Sequence, residues 1–290
     1  MAQSLKFTWV LAAWLAWSAA AEPVRIEQLQ ESLTGPEESY VLNGLNWISD
    51  LYQQEGFHPR HDLRARVFAT YAEFSQYQLA HRNFGDGSRP SPTAYFAINA
   101  DELVTWRTRT LKSLFVHEGQ HALLRSDFRH PPKWLNEGLS ECFEGFDFSQ
   151  AEPVYLAQAP RLRKVKRNLS DDFGRQVLAV LDMSEREFNQ TANDRGLDSY
   201  TRAWALVYYF WTKTGARGLG ELLRGLRDGH SAKEILSRLL PGNLEEQLVA
   251  FYRDMEAPPP PMPRTFTVPG SDGPPPMPPT SRPPMPGESP

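Results

Sequence analysis

Residues 117–121 read H-E-G-Q-H, and sixteen positions after His121 comes Glu137, within the segment W-L-N-E-G. On a helix, His117 and His121 are four residues apart and project from the same face, where two imidazole nitrogens can bind one metal ion. Zinc in a catalytic site takes three protein ligands and keeps a fourth position for water. The pattern therefore predicts a zinc helix, with Glu137 as the candidate for the third ligand.

Glu118 follows His117 and lies about 100° further round the helix, so it can face a water molecule held by the metal. Zinc lowers the pKa of such a water to about 7, and Glu118 is predicted to act as the general base that takes its proton. A pair of core histidines on the apolar side that carries Leu114 and Leu124 is the alternative interpretation. A glutamate on that buried turn would then be costly without a partner.

A second helix is predicted after Pro131 and Pro132, since proline is tolerated in the first turn of a helix. Apolar residues follow at helical spacing: Leu135, Leu139, Cys142, Phe143 and Phe146. Glu137 and Glu141 would lie on one face of this helix. An ordinary surface carboxylate is the alternative for Glu137.

The pair of motifs, H-E-x-x-H and N-E-G on the next helix, resembles the gluzincin metallopeptidases, the family that contains thermolysin and aminopeptidase N, and suggests a small bacterial branch of it. The resemblance implies that Glu137 is the third zinc ligand and that Asn136 supports the ligands. It also implies that Glu141 hydrogen-bonds the first zinc histidine, His117, and fixes its tautomer. A solvated or salt-bridged helix residue is the alternative for Glu141.

Residues 199–209, S-Y-T-R-A-W-A-L-V-Y-Y, resemble a further gluzincin segment, in which a tyrosine precedes an apolar helix. The resemblance implies that the Tyr200 hydroxyl stabilises the oxyanion; packing at a helix start is the alternative. The G-x-M-x-N segment of the aminopeptidases is missing, because no methionine lies between Ala65 and Glu118. Its absence favours an endopeptidase over an aminopeptidase.

The sequence thus predicts a zinc metallopeptidase that binds one Zn²⁺ per chain and hydrolyses a peptide or protein substrate. Two other functions stay open: a secreted binding module that keeps zinc for stability without turnover, and a zinc hydrolase that cuts a cell-wall peptide. The net charge of −4 gives no argument for a nucleic-acid partner.

The two ends of the chain have compositions of their own. Residues 1–21 carry Lys6, an apolar run and an A-x-A site, which predicts a cleavable signal peptide; an uncleaved anchor is the alternative. The run is too short for a bilayer span. With Cys142 as the only cysteine, the pattern suits a bacterial periplasm or exterior.

The proline-rich residues 257–290 predict an extended or disordered tail, either a plain solubilising spacer or a contact for a wall or protein partner.

Residues 22–256 are expected to form one α+β catalytic domain. A small mixed sheet would place an edge strand beside the H-E-x-x-H helix, and a mostly helical half would form the other wall of the cleft. Residues 94–99 are predicted as that edge strand, paired with residues 102–106, and the resemblance implies that it binds extended peptide. An ordinary structural strand is the alternative.

The basic stretch 161–167 is interpreted as a solvated helix face, or as a rim contact to an acidic substrate. The remaining predicted elements are a strand at 66–70 and helices at 35–54, 71–81, 173–181, 184–190, 200–214, 219–227, 232–239 and 244–255.

Overall fold

The computed structural model describes residues 22–81, 91, 93–150, 152–156, 158–192 and 194–255. The predicted signal peptide at 1–21 and the proline-rich tail at 257–290 lie outside these described residues. Within them the chain forms ten α-helices and six short strands, so the predicted α+β class is confirmed.

A four-stranded mixed sheet is built from the first part of the chain, in the order β1-β2-β4-β3. Strands β1 (Arg25–Gln30), β2 (Asp62–Phe68) and β4 (Glu102–Trp106) are parallel neighbours, and β3 (Ala94–Ala97) pairs antiparallel with β4 at the edge. The predicted hairpin is therefore confirmed, although its first strand ends at Ala97. The predicted strand at 66–70 starts earlier, at Asp62, and β1 has no counterpart among the predictions.

Two helices pack beside this sheet with the predicted bounds, α1 (Gly35–Gln54) and α2 (Tyr71–His81). Helix α1 begins where Thr34 and Glu37 form a reciprocal capping box, which satisfies backbone N–H groups that the first turn leaves unpaired. Its buried face carries Leu45, Ile48 and Tyr52 and packs against the helix that contains the H-E-G-Q-H motif.

The two motif helices are α3 (Leu111–Asp127) and α4 (Lys133–Phe143). Helix α3 contacts α1, β3 and β4 as well as α4. Helix α4 ends earlier than the apolar spacing predicts, so Phe146 lies on a strand and not on the helix. The chain leaves the helix at Gly145, whose N–H donates to the Cys142 carbonyl at 3.1 Å and whose carbonyl accepts from Leu156 N–H at 2.7 Å, so the following residues pair as a strand. A Cβ at Gly145 would overlap the ring of Tyr155.

The rest of the described chain is mostly helical, as predicted. Helix α4 packs chiefly against α8, whose two helical segments meet at Gly215 with φ 66° and ψ −169°. This break separates the two helices predicted at 200–214 and 219–227. The predicted helix at 173–181 ends as a 3₁₀ turn over residues 179–182. The remaining elements are β5 (Phe146–Asp147), β6 (Val154–Tyr155), α5 (Ala159–Arg167), α6 (Phe173–Leu178), α7 (Glu185–Thr191), α8 (Ser199–Arg227), α9 (Ala232–Leu239) and α10 (Leu244–Asp254).

The main hydrophobic core runs from Val24 to Met255, and a second, smaller cluster contains Phe68, Phe74, Tyr95, Ala97 and Val104, where α2 packs on the sheet. The largest fully buried side chains of the main core include Trp204 and Trp211 of α8. In the described part of the chain, no helix is both long and apolar enough to cross a membrane. The main core lies behind α3 and α4 and fixes the positions of both motif helices.

Candidate metal centre

The structure brings the three predicted ligands together. The Nε2 atom of His117 lies 3.4 Å from Oε2 of Glu137, and Nε2 of His121 lies 3.7 Å from Oε1 of the same carboxylate. One donor atom from each residue lies within 4.8 Å of the other two. Ligand atoms about 2.1 Å from a tetrahedral zinc are about 3.4 Å apart, so the donor set fits one zinc ion in chemistry and in size.

Burial and charge keep two of these donors in the forms that bind metal. Burial lowers the pKa of His121 to about 3, so its imidazole is neutral at neutral pH. Burial alone would raise the pKa of Glu137, but the neighbouring His121, Lys133 and His117 side chains outweigh it and hold that pKa well below its ordinary value. For His117, burial is outweighed by the carboxylates of Glu144 and Glu137, which raise its pKa. A metal ion that binds His117 would compete with the proton that these carboxylates favour.

The residue that orients His117 is Glu144, and this corrects the prediction for Glu141. Oε1 of Glu144 lies 2.5 Å from Nδ1 of His117. Glu141 instead binds Arg161 of α5, whose Nε donates to Oε2 at 2.8 Å. On an α-helix, Glu144 is rotated by about −20° from Glu137 round the helix axis, whereas Glu141 is rotated by about 40°. The Glu144 side chain therefore projects in nearly the same direction as that of Glu137.

A buried hydrogen-bond chain orients His121, through a serine that the sequence analysis did not single out. Ser140 Oγ donates to Oε1 of Gln120 and lies 3.2 Å from Nδ1 of His121. The Gln120 amide nitrogen in turn donates to the Tyr52 hydroxyl at 3.0 Å. When the serine hydrogen is donated to one of its oxygen acceptors, which are Gln120 Oε1 and the Asn136 and His117 carbonyls, Nδ1 of His121 is the donor to Ser140. This tautomer leaves the lone pair of His121 on Nε2, the atom that faces Glu137.

Asn136 lies against His121, where its side-chain amide favours the protonated imidazole. Its Oδ1 atom is buried and has no hydrogen bond of ordinary geometry among the described residues. The structure thus places Asn136 beside His121, and its supporting role stays a prediction.

Glu118 is 9% exposed, and no hydrogen bond or ion pair reaches its carboxylate from the residues that the structure describes. Burial raises the pKa of Glu118 to about 7; the Glu137 and Glu144 carboxylates add to this, while His117 and Lys133 oppose it. A carboxylate with this pKa is suited to accept a proton near neutral pH.

Tyr200 lies in the first turn of α8, half-buried, with its ring 5.2 Å from that of Phe188. The Arg161 guanidinium carbon is 5.9 Å from its ring centre. Arg161 also binds Glu141, Asp198 and Thr201, so it links α4 to the start of α8. The predicted oxyanion role of the Tyr200 hydroxyl stays a prediction.

Lys133 is a further charged residue at the donor set that the sequence analysis did not single out. Its Nζ lies 3.0 Å from Oε1 of Glu137, one helical turn further along α4. The sequence signal for this contact is the spacing of four residues between Lys133 and Glu137, which places them on one face of a helix.

Comparison with known proteins adds a family match. Residues 113–227 match the model of a family described as a protein of unknown function (DUF1570). The matched span is less than half of the chain and contains His117, Glu118, His121, Glu137 and Tyr200. Neither the curated proteins nor the solved structures contain a match to this chain.

Proposed function

We propose that this chain is an exported zinc metallopeptidase that cleaves peptide bonds within a chain. The observation that carries the proposal is a three-donor group of zinc-fitting size with the buried Glu118 next to His117. The pKa of Glu118 is raised, and no hydrogen bond or ion pair reaches its carboxylate from the described residues. A zinc ion bound there would activate a water molecule and polarise the carbonyl of the substrate.

The residues of the chain then have separate tasks. His117, His121 and Glu137 would hold the ion, while Glu144 and Ser140 keep the two Nδ1 atoms engaged so that each Nε2 faces Glu137. Glu118 accepts the proton of the attacking water and delivers it to the leaving amine. Tyr200 is assigned to the oxyanion by resemblance alone.

The peptide substrate is proposed from the position of β3. This strand is at the edge of the sheet, packs against the helix that carries His117, and is antiparallel to its neighbour. An extended peptide could pair with such an edge and pass the donor set. The missing aminopeptidase segment supports internal cleavage, and residues 1–21 support export.

The test combines metal content with turnover, in the wild-type chain and in three variants: Glu137→Ala, Glu118→Gln and the exposed control Glu246→Gln. We expect one zinc per chain in all but Glu137→Ala, measured by elemental mass spectrometry. On an unbiased peptide mixture, Glu118→Gln should lose about 10²–10⁴-fold in turnover, the usual contribution of a general base.

The outcomes separate the alternatives. Undiminished cleavage by Glu118→Gln would refute the proposed mechanism. A zinc-loaded wild-type chain that leaves every peptide intact would instead support a binding module. Folded wild-type protein without zinc, even after reconstitution, would remove the basis for an enzyme.

A further inference from the structure

Lys133 is a partly exposed cation beside the buried donor set. Its side chain is 21% exposed, against 5% for Glu137, 9% for His121 and 11% for His117. The ammonium touches Glu137, whose Oε1 is 3.7 Å from Nε2 of His121. A partly exposed cation thus lies against a buried carboxylate of the proposed metal centre.

The position of this lysine is electrostatically unfavourable for the helix itself. Lys133 is the first residue of α4, where the helix dipole is positive and disfavours a cation. In a pair spaced by four residues, lysine before glutamate is also the weaker order. A cation beside a metal ligand further repels the metal ion. The ion pair with Glu137 offsets part of these costs, and negative charge that develops on a substrate oxygen would offset them further.

Arg161 does not offer the same contact. Its guanidinium hydrogen-bonds Glu141, Asp198 and Thr201, and it lies on the Glu141 side of His117. Lys133 instead reaches the carboxylate that faces both Nε2 atoms. Of these two cations, Lys133 is the one placed against the donor set.

We propose that the Lys133 ammonium binds the carbonyl oxygen of the substrate as negative charge develops on it. The inference rests on the proposed hydrolase function. When the oxygen of water bonds to the carbonyl carbon, the π electron pair moves onto the carbonyl oxygen and Glu118 takes the proton of the water. Lys133 donates a hydrogen bond to that oxygen and keeps its own proton, so it acts as a preorganised charge.

Two small probes separate an oxygen contact from a general effect on the site. Inorganic phosphate presents tetrahedral anionic oxygens, whereas 2-mercaptoethanol binds a metal through sulfur. Both can be followed by the visible spectrum of the full chain loaded with Co²⁺. The variants are Lys133→Met and Lys133→Arg, with Lys233→Met as control, since Lys233 forms an exposed ion pair with Asp182 on another part of the fold.

We expect Lys133→Met to weaken phosphate binding about tenfold or more, as loss of a close charge contact does, and thiol binding less than about twofold. Lys133→Arg should keep most of the phosphate affinity, and Lys233→Met all of it. An unchanged phosphate affinity in Lys133→Met would overturn the inference. So would an equal loss for both probes, or a metal-loaded wild-type chain that ignores phosphate.

Metal stoichiometry, measured first on the same samples, keeps the two proposals apart. A wild-type chain that takes up no metal contradicts the hydrolase function itself. A chain that binds one metal ion and hydrolyses peptides, but shows no phosphate-specific loss in Lys133→Met, contradicts only the role of Lys133.

Discussion

Nδ1 of His117 lies 2.5 Å from Oε1 of Glu144, the residue directly after the last residue of α4. A carboxylate can only accept a hydrogen bond, so this contact holds the proton on Nδ1 and leaves Nε2 to face Glu137. The two residues are 27 positions apart, and the contact depends on the way α3 and α4 pack.

Glu144→Gln is expected to weaken zinc binding about tenfold or more, because residues that orient a metal-bound histidine contribute on that scale. Competition with a chromophoric chelator measures the dissociation constant, and the exposed Glu246→Gln is the control. One zinc should still bind at saturation. A dissociation constant equal to that of the wild type would show that the contact with His117 does not matter for the metal.

Glu141→Gln is expected to act on stability instead. The change weakens a charged hydrogen-bonded pair with Arg161, which is worth about 2 kcal/mol. Denaturant unfolding of zinc-free protein measures the loss without any contribution from metal binding. If Glu141→Gln weakened zinc as strongly as Glu144→Gln, the assignment of Glu141 from the resemblance would regain support.

Ser140→Ala should remove the hydrogen bond that fixes which ring nitrogen of His121 carries the proton. With the chain from Tyr52 through Gln120 broken, we expect a mixture of the two neutral tautomers and a zinc affinity reduced about tenfold. Nitrogen-15 NMR of the imidazole in zinc-free protein reports the tautomer directly. Ser113→Ala is the matched control, since Ser113 is on the same helix as His121 and its hydroxyl donates to the carbonyl of Thr110, the residue just before that helix. A single unchanged tautomer in Ser140→Ala would contradict the chain.

Gly138→Ala should destabilise the fold by about 1–3 kcal/mol, the usual cost of overpacking. A Cβ there would lie 2.7 Å from the Ala203 carbonyl oxygen and 2.7 Å from Cγ2 of Val207, both on α8. Gly35→Ala is the control, because a Cβ at that position meets nothing within 4 Å. Chemical denaturation of both variants tests this, and equal stabilities would mean that α4 and α8 can separate without cost.

The pH dependence of stability should report Glu118. Its pKa is about 7 in the folded chain and about 4.3 when unfolded, so the folded state binds the proton more tightly between those values. In zinc-free protein, this group therefore reduces stability as the pH rises from about 4.3 to about 7. Glu118→Gln should match the wild type near pH 4 and exceed its unfolding free energy by a few kcal/mol at pH 8. A difference between the two proteins that does not change with pH would contradict the raised pKa.

The grouping of His117, His121 and Glu137 could be predicted from the sequence because their spacing is local. His117 and His121 are one helical turn apart, and a short connection brings Glu137 to the same place. The bounds of α1 and α2 were likewise set by local signals, such as Pro36 in the first turn of α1.

The supporting residues could not be predicted in the same way, since their contacts depend on packing between distant segments. Arg161 reaches Glu141 from 20 positions away, and Tyr52 reaches Gln120 from 68. Strand β1, with the sequence R-I-E-Q-L-Q, shows no strong alternation of buried and exposed residues. It is defined by its parallel pairing with β2.

The two middle residues of the H-E-G-Q-H motif, Gly119 and Gln120, have structural roles in this fold. Gly119 faces Leu45 of α1, where a Cβ would overlap that side chain, and Gln120 completes the link between Tyr52 and Ser140. The two middle positions, which the metal chemistry leaves free, are thus restricted here by packing and hydrogen bonding. A search for chains built in the same way can therefore use a longer fingerprint, H-E-G-Q-H-x₁₄-N-E-G-x-S-x₃-E, in which the final glutamate is Glu144.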